Sequence, residues 1–358
     1  DVEQGVHPGR DLDEPGVRIE WGDLTCYDDV ARCVRGADFV LHAAALISPA
    51  ADRNPEQAWK INVVSAENII RAIKAQPDPD AIKLVSVGTV AATGDRLPPI
   101  HWGRTGDPLQ PSVFDMYGCS KIAAERTVAE SGLKYWVSLR QTFIAIADLT
   151  SLMDPIMFHQ PLDTCIEFCT MDDSGRLLAN ACEDSVPEEF WRRFYNIGGG
   201  ERCRLNYIEL QQRSFDVLGM GKLEDLTERN WFATRNFHCH WFEDSDVLEG
   251  YLRFRSQGVD EYLQQVQAAL PAWQRIGARV TPAWLVKRFV DPEAEFLYVP
   301  AADVRRIAAE RDAEPYDIPD VKFSHEGERC SFDAFLKAYR LADPALAELA
   351  VIVRGADT

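Results

Sequence analysis

The sequence predicts an α/β protein built on a parallel sheet with helices on both faces. Two observations carry that expectation: apolar strand candidates alternate with segments of helical spacing, and those strands are near-continuously apolar rather than half polar. A length of 358 residues suffices for one such domain and a smaller lobe. Val17-Arg-Ile-Glu-Trp21 alternates as a strand does and runs into Gly22-Asp23-Leu24, and Tyr27 to Val34 then has helical spacing. Asp38-Phe-Val-Leu41 reads as a short buried strand leading into His42-Ala-Ala-Ala45, whose small side chains let a ligand approach the backbone. Pro55 to about Ala75 reads as a longer helix with Asn62 inside it, and Lys83 to Val87 as a central strand ending at Gly88-Thr89. After a loop rich in Pro and Gly from Leu97 to Pro111, a helix through Tyr117 runs to Ser131-Gly132, and Tyr135 to Leu139 is the next strand.

Composition narrows the function classes. The net charge of -19 disfavours nucleic acid or an anionic membrane as a partner, since a polyanion is repelled by most of such a surface. The 9 cysteines are odd in number and scattered, which does not suggest a disulfide framework. No apolar run reaches bilayer length. A soluble, cytoplasmic protein acting on a small molecule is the expectation.

Tyr117-Gly-Cys-Ser-Lys121 is the most informative stretch. A free phenol has a pKa of about 10 and is a poor acid-base group at neutral pH unless a nearby positive charge favours the phenolate. Lys121, four residues on, lies on the same helix face and can supply that charge while holding a ribose hydroxyl. Beside a cofactor, Thr89 can hydrogen-bond a substrate carbonyl or alcohol while Tyr117 passes a proton to or from the same oxygen. Asn62 serves either as part of a water relay behind Lys121 or to satisfy backbone within its helix.

In the order Gly22-Asp23-Leu24, His42-Ala-Ala-Ala45, Asn62, Val85-Ser-Val-Gly-Thr89, Tyr117-x-x-x-Lys121, Leu139-Arg140 and Tyr195-Asn-Ile-Gly-Gly-Gly200, the chain resembles the extended short-chain dehydrogenase/reductase family, in its NAD-dependent epimerase/dehydratase branch. The resemblance covers about two thirds of the chain and extends to Phe168-Cys-Thr-Met-Asp172-Asp173. It implies a Rossmann-type doubly wound parallel sheet over residues 1–150, a smaller substrate lobe over 151–280, and a mostly helical extension over 281–358. It further implies NAD or NADP as cofactor, with Asp23 and Leu24 flanking the adenine, Ala43, Ala44 and Ala45 beside the dinucleotide, and Lys121 on the ribose. Thr89, Tyr117, Lys121 and Asn62 would be the catalytic set. A homodimer through the helices carrying Asn62 and Tyr117 is a further implication.

Several features depart from that pattern. Asp1 to Pro15 is polar and holds no Gly-x-x-Gly-x-x-Gly turn, so the chain reads as starting after the second strand of such a fold, and the residue that tells NAD from NADP is not in it. Gln141 stands where the family usually has Pro, and Thr93 where an aromatic is common. Thr89-Val-Ala-Ala-Thr93 lacks the Asp-Glu pair of the sugar-nucleotide dehydratases, which leaves alcohol/ketone oxidoreduction or sugar-nucleotide epimerisation through a transient ketone. A non-catalytic dinucleotide-sensing protein is the alternative of another class, against which the intact Thr89, Tyr117 and Lys121 weigh.

The second half is less readable. Leu152 to His159 is an apolar segment expected to line the substrate pocket. Asn230 to Phe242 is dense in aromatics, expected to pack the small lobe against the sheet domain or to wall a substrate ring. Arg192, Arg193, Arg202, Arg204, Arg229 and Arg235 are the basic groups that could converge on a diphosphate. His238-Cys239-His240 invites a metal reading, but no further ligand pattern completes a site, and no metal is expected. Cys165 and Cys169 read as small buried hydrophobes. In the tail, Thr281 to Phe289, Ala301 to Arg311 and Ser331 to Leu349 are helix candidates around a linker at Pro315 to Pro319, completing the substrate lobe or covering the sheet domain.

Overall fold

The structure, a computed structural model, describes residues 16–147, 155–235, 240–269 and parts of 286–350, apart from single positions at 95, 97, 100, 113 and 219. Its centre is a parallel sheet of β1 (Phe39–His42), β2 (Lys83–Thr89), β4 (Tyr135–Gln141) and β8 (Arg193–Asn196), in the order β1-β2-β4-β8. α1 (Tyr27–Val34) precedes β1, and between the strands in sequence lie α2 (Ala50–Arg53), α3 (Pro55–Trp59), α4 (Ser65–Lys74), the two-residue β3 (Trp102–Gly103) and α5 (Met116–Ala129).

Adjacent strand residues serve opposite faces, as the pleat requires. Leu84 and Trp136 pack with Val30, Ile70, Ile73 and Val128 of the helices on one side. Val85 and Val137, one residue on, pack with Leu177, Phe190, Leu248 and Phe254 on the other. The doubly covered sheet is therefore present, and the near-continuous apolar runs of β2 and β4 follow from it.

One expected strand is absent. Val17 to Trp21 carries no strand assignment and is exposed, with Val17 at 51% and Trp21 at 65%. Alternation prepares a segment for a sheet, but a strand exists only where a neighbour takes its backbone hydrogen bonds, and no partner strand lies beside this segment among the described residues.

The second lobe has its own core, including Ile166, Phe168, Leu205, Tyr207, Phe215, Phe232 and Tyr262. Two short pairings frame it: β6 (Cys165–Glu167) runs antiparallel to β9 (Arg204–Asn206), and β10 (Trp241–Phe242) pairs with β3 in parallel. Glu167, fully buried, ties these pieces together. It accepts from Arg204 Nε at 2.7 Å, Gly200 N at 3.0 Å, Phe242 N at 3.0 Å and Ser245 Oγ at 2.7 Å. A carboxylate with that many donors is stable without water.

Met157 and Phe158 belong to this core rather than to a pocket wall, with Phe158 stacked edge-on against Phe232 at 5.1 Å. Leu152 to Asp154 lie outside the described residues, as do Asn236 to Cys239. Of the described aromatics of the 230–242 segment, Phe232 and Phe242 are buried, whereas Trp231 is 51% exposed. Residues 286–350 form a core from their own side chains, with Phe323 stacked on Phe335 at 4.0 Å and Val286, Phe332 and Leu346 around them. Among the described residues, none of the substrate lobe joins that core. The final predicted helix ends early, at Tyr339, after which Arg340 turns to positive φ and Pro344 follows, a residue that cannot continue a helix. Val304–Arg311 is helical as expected, while the Thr281 to Phe289 helix falls, apart from Val286, outside the described residues.

Candidate active site

The site forms where the carboxyl end of β2 meets the first turns of α5. Asp115 starts that helix by accepting from Gly118 N at 2.7 Å, and a Cβ on Gly118 would sit 2.6 Å from Asp115 Oδ2, so the cap needs glycine there. The cap brings the Tyr117 phenol beside the Thr89 side chain, which acts on it. Thr89 Oγ1 also accepts from Ala91 N at 3.1 Å, which fixes its rotamer. Burial raises the Tyr117 phenol above its ordinary pKa, Thr89 pulls it down, and Asp115 adds to the rise.

Lys121 is 5% exposed, and its Nζ donates to the Val87 carbonyl at 2.7 Å. Burial pushes its pKa down to about 8, with Glu125 opposing the shift. The expected action of the ammonium on the phenol is therefore not the contact made in this state; the ammonium is held by β2. His42, at the end of β1, is buried beside Ser65 Oγ at 3.3 Å and is held down to about 4 by burial and by the Lys121 charge.

Asn62 is fully buried in a π-helical turn, Lys60–Val64, that joins α3 to α4. Such turns occur often at functional sites. Its Oδ1 accepts from Leu46 N at 2.7 Å, while Nδ2 donates to Leu46 O at 3.0 Å and to Ser120 Oγ at 2.8 Å. The backbone it satisfies lies outside its own helix: the amide clamps the backbone just after Ala45 to the helix of Tyr117. Ala43 and Ala44 are exposed at the end of β1 and Ala45 is half-buried. Asp23 and Leu24 are exposed ahead of α1, where Asn68 Nδ2 holds the Leu24 carbonyl at 3.0 Å.

The structure thus brings Thr89, Tyr117 and Lys121 together and joins them through Asn62 and Ser120 to the Ala43–Ala45 turn. It does not gather the six arginines. Arg229 pairs with Asp163, Arg192 with Glu188, and Arg202 with Glu261. A cavity of about 230 Å³ in the second lobe is lined by Arg202, Arg204 and Arg213, but carboxylates neutralise each of them, and Thr89, Tyr117 and Lys121 do not line it. Cys165 and Cys169 are buried as expected, their thiols pushed up to about 11 and about 12 by burial, which leaves them unreactive.

Sequence reading passed over Ser120, Glu125 and Asp115. The signal for Glu125 was present, because it stands four residues after Lys121 and so on the same helix face.

With this geometry in hand, residues 3–144 match the NAD dependent epimerase/dehydratase family model. The match covers less than half of the chain and makes this segment similar to that family. The epimerase/dehydratase match ends within the described sheet, and a second match covers the tail: residues 272–358 correspond to the ChrB C-terminal domain. The sequence motifs gave no hint of it. Protein ChrB of Cupriavidus metallidurans is 39% identical over 80 residues, 22% of this chain and 24% of that protein. Rattus norvegicus 3 beta-hydroxysteroid dehydrogenase type 7 is 29% identical over 110 residues, 31% of this chain and 32% of that protein. The chain thus spans about a quarter to a third of these curated relatives. In fold, it is similar to the Bordetella bronchiseptica enzyme WbmG in complex with NAD and UDP, with a TM-score of 0.55 and 20% identity over 81% of this chain and 86% of that one. The epimerase/dehydratase sheet and its second lobe both fall within a fold of that kind. No helix among the described residues is long and apolar enough to cross a membrane.

Proposed function

We propose that the epimerase/dehydratase domain binds NAD or NADP and transfers hydride between it and a secondary alcohol or ketone, with Tyr117 as the acid-base group. The observation that carries this reading is the placement of the Tyr117 phenol beside the Thr89 side chain at the carboxyl end of the sheet, one helical turn from a buried ammonium. Two hydroxyls so placed can share one substrate oxygen. Thr89 then donates to that oxygen while Tyr117 gives it a proton or takes one. The raised phenol pKa keeps Tyr117 protonated at neutral pH, so donation to a ketone oxygen is the favoured direction.

The residues fit a dinucleotide. Exposed Ala43 and Ala44 leave the backbone open at the carboxyl edge of a parallel sheet, where such folds bind ligands. Ala45 continues that path, Asp23 and Leu24 would flank the adenine, and Lys121 would turn from the Val87 carbonyl to a ribose hydroxyl. Asn62 would hold the turn against the catalytic helix. The dinucleotide, when bound, supplies the hydride donor or acceptor.

Sugar-nucleotide epimerisation is the second reading, favoured by the family match and by the NAD and UDP named for the similar WbmG complex. It uses the same Thr89, Tyr117 and Lys121. Fluorescence titration with NADH and NADPH tests the common premise, and failure of both to bind overturns it. Turnover with free cofactor then divides the readings: a dehydrogenase accumulates reduced cofactor in step with product, whereas an epimerase makes product with no net redox change.

A further inference from the structure

Tyr117, Lys121 and Glu125 stand four residues apart and form one row along α5. Each meets a successive feature of the end of β2. Tyr117 stands beside Thr89, Lys121 donates to the Val87 carbonyl, and Glu125 reaches over Gly88. A Cβ at Gly88 would lie 2.9 Å from Ser138 Oγ and 3.3 Å from Glu125 Oε2, so glycine opens the space in which the carboxylate sits.

Glu125 is 8% exposed and Arg140 4%. Arg140 grips the carboxylate with two bonds, Nε to Oε2 at 2.9 Å and Nη2 to Oε1 at 2.7 Å, and Ser138 Oγ donates to Oε2 at 2.8 Å. The remaining guanidinium nitrogen, Nη1, donates to the Thr105 carbonyl at 3.0 Å. Thr105 N in turn donates to Asp244 Oδ2 at 2.7 Å, whose other oxygen accepts from Asn196 Nδ2 at 3.3 Å. One ion pair therefore joins the row of reacting side chains to the loop that precedes their helix, and that loop to β8 and the second lobe.

A buried pair of this kind is weak evidence for stability, because apolar side chains of the same volume often serve as well. Its position suits another task. We propose that Glu125 and Arg140 are positioning residues for the reaction proposed above: together they fix the Lys121 turn over β2 and anchor the Thr105 loop beside it. The proposal rests on the reading of Tyr117 and Lys121 as the reacting pair. The groups facing the Lys121 ammonium are His42 from β1 and, along its own helix, Tyr117 and Glu125, of which Glu125 supplies the negative charge that opposes burial. Removing that carboxylate would also leave the Arg140 charge uncompensated, and both changes disfavour the ammonium.

The test uses the full chain without cofactor. The Lys121 side chain is followed by NMR against pH in lysine-labelled protein, its signal assigned by Lys121→Arg, and the Thr105 amide is followed by hydrogen exchange. In Glu125→Gln the Lys121 midpoint is expected to fall by about one pH unit, a tenfold change in its protonation equilibrium. The Glu125→Gln/Arg140→Met double variant removes both charges and guards against a fold lost to an unpaired guanidinium. There the midpoint is expected to lie closer to the parent value than in Glu125→Gln, while Thr105 exchanges at least about tenfold faster because its carbonyl anchor is gone. An unchanged Lys121 midpoint in folded Glu125→Gln overturns the proposal. So does unchanged Thr105 exchange in the double variant, which decides the matter if Glu125→Gln does not fold. Neither readout needs turnover, so a chain that binds no dinucleotide refutes the function while leaving this measurement to judge the pair.

Discussion

The junction of β2 with α5 and the segment from Val17 to Ile47 both carry apolar residues, but the second buries only one face of α1 and leaves many of the others exposed. At the junction Leu84, Val85, Leu139 and Val128 are buried, and the polar side chains among them, Lys121, Glu125, Arg140 and Ser138, all have partners. In the other region Val17, Ile19, Trp21, Leu41 and Ile47 are each 40% exposed or more. The difference lies in neighbours, since β2 is flanked by β1 and β4 whereas β1 pairs with β2 alone among the described residues. Apolar residues need a second surface before they stabilise anything. The proposed chemistry falls on the first region and the proposed adenine contacts, Asp23 and Leu24, on the second.

The largest effect should come from Tyr117→Phe, which removes the acid-base hydroxyl and leaves its ring in place. Turnover is expected to fall by about 10²–10⁴-fold with dinucleotide affinity little changed, which steady-state kinetics and a binding titration would check. Near-normal turnover would take Tyr117 out of the mechanism. Next, Leu139→Ala at the fully buried centre of β4 is expected to cost about 2–5 kcal/mol in denaturant unfolding.

His42, a buried exception within the second region, gives a pH signature. Its folded pKa of about 4 lies below the ordinary histidine value of 6.5, so the unfolded state binds more protons between those values. The stability tied to neutral His42 is fully present above pH 6.5 and is lost as pH falls through about 4. The amount is about 3 kcal/mol, at 1.36 kcal/mol for each unit. Unfolding measured from pH 7 down to 4 should show that slope, and His42→Gln should flatten it. The smallest effect belongs to the exposed region: Trp21→Ala, at a side chain 65% exposed, is expected to change stability by less than about 0.5 kcal/mol. A loss comparable to that of Leu139→Ala would mean that the exposed segment is covered in solution, and the contrast between the two regions would disappear.

The helix of Tyr117 was legible because its periodicity and glycine stop are local, although its Asp115 cap was passed over, and α1 spans the same Tyr27–Val34 that spacing predicts. The aromatic stretch near Trp241 was legible only as packing in general. The ChrB-like region was not legible as a separate unit, because its core is assembled from Val286, Phe323, Phe332 and Leu346, which follow no motif.

By itself the sequence determined the alternation of strand and helix, the doubly covered sheet, and the placement of Thr89, Tyr117 and Lys121 at the ends of neighbouring elements, since periods of 2 and 3.6 residues and capping chemistry act over short range. Tertiary structure alone decided that Val17 to Trp21 stays out of the sheet, that Asn62 clamps Leu46 to Ser120, that Lys121 is held by Val87, and that Glu125 meets Arg140 across Gly88. Those outcomes depend on which surfaces come together, and a strand edge, a buried amide or a buried carboxylate takes its role from the partner it finds there.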